Sequence, residues 1–104
     1  MIDEATRAHY VKLYAQPGAM QAGFAQFQSV RQDTVDNAEL SKTKLTMPVL
    51  ALGAEKSFGA MQAKQMRNAA TNVTEVIIPG SGHWLMEEAP AETVKAVQGF
   101  LDGK

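Results

Sequence analysis

Val73-Thr74-Glu75-Val76-Ile77-Ile78-Pro79-Gly80-Ser81-Gly82-His83-Trp84 decides the fold. Its first six residues are rich in β-branched side chains and read as a strand, and Pro79-Gly80-Ser81-Gly82 is a string of breakers that ends it. Working back from there, Met47-Pro48 opens a second apolar run, Val49-Leu50-Ala51-Leu52, which stops at Gly53. A short continuous run of this kind marks a strand covered on both faces, hence a parallel sheet. Between the runs, Phe58 to Ala70 supplies the helix formers Met61, Lys64, Gln65, Met66 and Ala69, with Ser57 available as the N-cap. Strand, helix and strand of these lengths make one βαβ unit.

After His83 the chain enters a last helix. Pro90 stands at its first position and Glu92 in its first turn; Val94, Val97, Phe100 and Leu101 form a stripe suited to packing on a sheet, and Asp102-Gly103-Lys104 ends it. Upstream, Ile2, Ala5, Tyr10, Leu13 and Tyr14 recur at helical spacing from about Asp3 to Ala15. Pro17-Gly18 breaks that helix, and Met20, Gly23, Phe24, Phe27 and Val30 outline a second one. The polar stretch from Asp33 to Ser41 reads as a connection with at most a short helical turn.

At 104 residues one core is expected rather than two. The 45% hydrophobic and 20% charged composition is that of a globular protein. The net charge of −1 leaves no electrostatic footprint for nucleic acid or for an anionic membrane surface, and neither is expected as a partner. No run approaches the roughly 20 apolar residues that cross a bilayer. With acid rather than base at Ile2-Asp3-Glu4, no targeting segment is read either, and the expected location is the cytoplasm. The absence of cysteine excludes disulfides and thiolate chemistry. His9 and His83 have no partners at ligand spacing, so neither a metal nor any other cofactor is expected.

Ligands of open parallel sheets bind beyond the carboxyl ends of the strands, which is where Gly80-Ser81-Gly82-His83-Trp84 falls. A histidine there can take or give a proton near neutral pH, as a hydrolytic base must. Met47 to Lys56, Ile77-Ile78-Pro79-Gly80-Ser81-Gly82-His83-Trp84 and Glu87-Glu88-Ala89-Pro90 together resemble the α/β-hydrolases, above all the epoxide hydrolases and the haloalkane or haloacetate dehalogenases. More loosely, Tyr14 to Phe24 looks like the end of the helical cap of such enzymes. The resemblance implies an α/β fold in two segments: a helical cap remnant with its connection over residues 1–44, and a βαβα part of the core with two parallel strands over residues 45–104.

The resemblance also implies that His83 is the catalytic base. It would activate water against an ester formed on an aspartate, or deprotonate a serine. The nucleophile pattern, G-x-[SD]-x-G after a strand, is not present, and Pro79-Gly80-Ser81-Gly82 has neither its spacing nor its context. Ser57 stands at the usual position of the triad aspartate, and Glu55 is a substitute candidate. Trp84 lines a substrate pocket or anchors its loop. Tyr10 and Tyr14 face a cleft or pack, and Tyr14 with Trp84 completes the candidate substrate-binding set. No tyrosine stands at Gln26-Phe27, near where the second cap tyrosine of an epoxide hydrolase belongs.

Two functions follow. One is the carboxy-terminal, truncated part of a hydrolase that supplies the histidine and is inactive alone, its partners a small-molecule substrate and a complementing amino-terminal half. The other is a non-enzymatic fold that self-associates as a homo-oligomer, or binds a small apolar ligand. Two parallel strands leave unpaired edges, which is why a partner is expected in either case.

Overall fold

The computed structural model describes residues 2–103 and divides into two compact units, one ending at Leu40 and one starting at Ser41. Met1 and Lys104, the outermost residues of the two expected segments, lie outside the described residues.

The first unit is three helices, α1 (Glu4–Tyr14), α2 (Ala19–Gln28) and α3 (Val30–Leu40). Asp3 caps α1, its Oδ1 accepting from the Thr6 N–H at 2.7 Å, and Glu4 pairs with Arg7 one turn on. Gly18, at φ 81°, sits in the left-handed region and turns the chain into α2. None of the residues of the three helices is buried. The third helix corrects the expectation of a connection over 33–41. Its residues have no apolar period, yet local side-chain bonds support the helix: Gln32 Nε2 donates to Asp36 Oδ1 at 2.7 Å, and the Thr34 hydroxyl donates to the Val30 carbonyl at 2.8 Å.

In the second unit, β1 (Leu45–Ala54) and β2 (Ala70–Ile78) pair in parallel, with α4 (Ala60–Ala69) as the crossover. Register is regular from Pro48 opposite Asn72 to Ala54 opposite Ile78, and is disturbed between Leu45 and Pro48, where the proline brings no N–H to the ladder. α4 packs on both strands, and the small core is made of Ala51, Ala54, Ala63, Ala70, Ile78 and Ala89. Two helices follow the sheet, α5 (Leu85–Glu88) and α6 (Pro90–Leu101). Thr93 in α6 is buried, its hydroxyl donating to the Ala89 carbonyl at 2.7 Å, so it closes the kink between them. The architecture is the expected α/β one: helices followed by a βαβα unit with two parallel strands.

Ser57 does not cap α4. The N-cap is Gly59, at φ 49°, and no side chain bonds the first turn. Gly53 explains the turn's shape, because a Cβ there would meet the Gly59 carbonyl oxygen at 2.0 Å. The end of β1 and the turn before α4 thus touch backbone to backbone.

Candidate active site

At the carboxyl ends of the two strands, the loops after β1 and β2 are bonded to each other. The Glu55 N–H donates to the Ile78 carbonyl at 3.1 Å, and the Lys56 N–H donates to the Ser81 carbonyl at 2.9 Å. The Gly80 N–H donates to Glu55 Oε2 at 2.6 Å. Glu55, the substitute triad acid of the sequence reading, is therefore engaged by loop backbone. Ser81 is buried at 2% exposure with its hydroxyl on the Ile78 carbonyl at 2.8 Å, which makes it a turn residue rather than an accessible nucleophile.

His83 follows this seam and is exposed. Ser57 Oγ lies 3.4 Å from its Nδ1. The imidazole stands between two aromatic rings, edge-on to Trp84 with centroids 4.9 Å apart and tilted against Phe58 at 5.9 Å. Leu52, Ala54, Ser57, Phe58, Gln62, His83 and Leu85 line a cleft of about 180 Å³. The cleft joins an apolar floor to one titratable side chain, an arrangement suited to proton transfer on a small apolar substrate. Trp84 is 63% exposed and flanks the imidazole. Tyr14 belongs to the other unit, in the last turn of α1, where with Ile2, Tyr10 and Val11 it lines an apolar groove.

Glu88 was not singled out in the sequence, yet it organises the loop. Its Oε2 accepts from the Gly82 N–H at 2.8 Å and its Oε1 from the Trp84 N–H at 3.2 Å, so one carboxylate grips the backbone on both sides of His83. Gly82 leaves room for it, since a Cβ there would lie 2.8 Å from the carboxylate oxygens. The signal for this contact was the G-x-G-H-W loop with acid five residues after His83, a spacing readable only once α5 is known to fold back.

The backbone N–H groups of Gly82, then of Trp84, hold the Glu88 carboxyl below its ordinary value. A depressed folded value means that the contribution to loop order is present above the unfolded value, about 4.3, and is lost as pH falls through the folded one. Amide exchange at Gly82 and Trp84, measured against the intrinsic rate at each pH, is therefore expected to be slow at neutral pH and to approach that intrinsic rate as the pH falls through the lowered Glu88 value. In Glu88→Gln it should be fast throughout; equal protection in the variant and the parent would contradict the clasp.

No protein-family model matches the chain. It is 27% identical over 94 residues to the soluble epoxide hydrolase of Corynebacterium sp. (strain C12), covering 90% of this chain and 32% of that protein. It is 29% identical over 92 residues to epoxide hydrolase 3 of Mus musculus, covering 85% of this chain and 24% of that one. Among solved structures it superimposes on the epoxide hydrolase CorEH without ligand with a TM-score of 0.89 at 27% identity, over 97% of this chain and 35% of the other. The chain is similar to the carboxy-terminal part of an α/β-hydrolase. Wild-type Cfl2 from Burkholderia cenocepacia gives the same picture, with a TM-score of 0.87 at 28% identity over 95% of this chain and 34% of that one. This hydrolase-like chain thus spans about a third or less of the length of the proteins it matches. Among its described residues no helix is long and apolar enough to cross a membrane.

Proposed function

We propose that the chain supplies the general base, His83, to a hydrolase of the epoxide hydrolase or dehalogenase type, with the nucleophile and oxyanion donors carried by a complementing amino-terminal polypeptide segment. The observation that carries this reading is an exposed imidazole at the carboxyl end of β2, in a loop clasped by Glu88, within a fold similar to that of epoxide hydrolases.

The chemistry begins with an ester already formed between the nucleophilic aspartate and the substrate carbon. His83 Nε2 removes a proton from water as the water oxygen bonds to the acyl carbon. The tetrahedral intermediate then expels the product alkoxide, which takes the proton from the imidazolium, and the carboxylic acid left behind releases the second proton of the water to solvent, regenerating the aspartate. The substrates are small epoxides, haloalkanes or haloacids, and a cytoplasmic location belongs to the same proposal. The sequence holds no nucleophile elbow, so the 104-residue chain by itself is inert.

A chimera tests the reading, with this chain replacing the matching third of the Corynebacterium enzyme. It is expected to turn over an epoxide or a haloacetate while the isolated chain does neither. A folded chimera without turnover would sink the proposal, as would turnover by the chain alone.

A second reading rests on the surfaces the chain leaves open. Besides the exposed helices of the first unit, Leu50, Val76, Ile78, Pro79, Ala96 and Phe100 contribute to an apolar groove of about 380 Å³ between the sheet and α6. Each strand also has one edge without a strand partner among the described residues. In this reading the chain is a non-enzymatic homo-oligomer or binds a small apolar ligand. A solution mass equal to one chain would rule out the oligomer.

A further inference from the structure

We infer that Ser57 is the positioning residue of His83: its hydroxyl accepts the imidazole Nδ1–H and thereby leaves the Nε2 lone pair free. The inference rests on the reading of His83 as a base acting through Nε2, and deepens it.

Three observations converge on the pair. The hydroxyl of Ser57 is not spent on α4, whose N-cap is Gly59 and whose first turn has no side-chain cap. The two loops are held in register one to three residues before the pair, by Lys56 N–H on the Ser81 carbonyl and Gly80 N–H on Glu55 Oε2. The backbone N–H of Ser57 is itself fixed on the Ala54 carbonyl at 3.0 Å. The 3.4 Å approach of Oγ to Nδ1 is thus built by backbone on both sides rather than by chance contact of two mobile side chains. Phe58 and Trp84 then limit how the ring can rotate.

At 3.4 Å the contact is long for a hydrogen bond, and such bonds in empty sites tighten when the substrate is in place. A hydroxyl both donates and accepts, so the contact alone permits either tautomer. A base that works through Nε2 requires the proton on Nδ1, and Ser57 is the side chain placed to hold it there. What the hydroxyl lacks is charge. A carboxylate at this position would orient the ring and also stabilise the imidazolium formed during the reaction; Ser57 does only the first.

The test is nitrogen-15 NMR of the His83 ring in the full chain, in alkaline buffer where an imidazole is neutral. The parent and Ser57→Thr are expected to show the Nδ1–H form in the majority. Ser57→Ala should revert to the Nε2–H form that predominates in free histidine, with the amide spectra of β1 and β2 unchanged. An Nε2–H majority in the parent, or a tautomer that ignores Ser57→Ala, would overturn the inference. Should Ser57→Ala not fold, the parent and Ser57→Thr spectra still decide it. Should the tautomer follow Ser57 while His83→Gln leaves the chimera's turnover intact, the hold on the ring stands and the base reading falls.

Discussion

Gly53→Ala is expected to unfold the second unit or bring it close to unfolding. The added Cβ would stand 2.0 Å from the Gly59 carbonyl oxygen and 2.7 Å from its carbonyl carbon, both backbone atoms with no rotamer to escape into. Relief requires the end of β1 to leave Gly59, and that turn also carries the bonds of the Ser57 and Gly59 N–H groups to the Ala54 carbonyl. Overpacking of a well-fitted site costs about 1–3 kcal/mol and more where backbone must move, so about 3 kcal/mol or above is expected. Small domains hold on the order of 5 kcal/mol in total. Gly99→Ala is the control, because nothing lies within 4 Å of its added Cβ and alanine favours the helix by roughly 0.5–1 kcal/mol. Urea titrations followed by circular dichroism should therefore move in opposite directions for the two variants. A parent-like midpoint for Gly53→Ala would show that the turn can open without cost.

The largest functional effect is expected from His83→Gln in the chimera. Glutamine keeps a polar, hydrogen-bonding side chain beside Ser57 but has no lone pair that takes a proton in water. Loss of a positioned general base lowers the rate by about 10²–10⁴-fold. The loss should fall on hydrolysis of the covalent intermediate, so the ester on the aspartate should accumulate and be visible by mass spectrometry. Because His83 is exposed, the chain's stability should not follow the activity down. Turnover within a few-fold of the unsubstituted chimera would remove His83 from the mechanism.

Much of the fold was written in local pattern. The β-branched run Val73 to Ile78 and the apolar run Val49 to Leu52 became β2 and the centre of β1, and Pro90 opened α6 as its position required. These signals are legible because strand and helix periods and proline's missing N–H act over a few residues. The helix α3 was not legible, since its support comes from i,i+4 polar bonds that leave no apolar period.

By itself the sequence determined the α/β class, the strand-helix-strand order of its core and the placing of His83 just past a strand end, because these depend on neighbours along the chain. Tertiary structure alone decided what surrounds the imidazole. Ser57 reads locally as a helix cap and Glu88 as one acid in a polar turn. Folding puts one hydroxyl 3.4 Å from Nδ1 and both carboxylate oxygens on the amides flanking His83. The physical reason is that both contacts depend on loop register and on the backward turn of α5, which are fixed by backbone hydrogen bonds between segments distant in sequence and by the Gly53–Gly59 approach, not by any residue's own propensity.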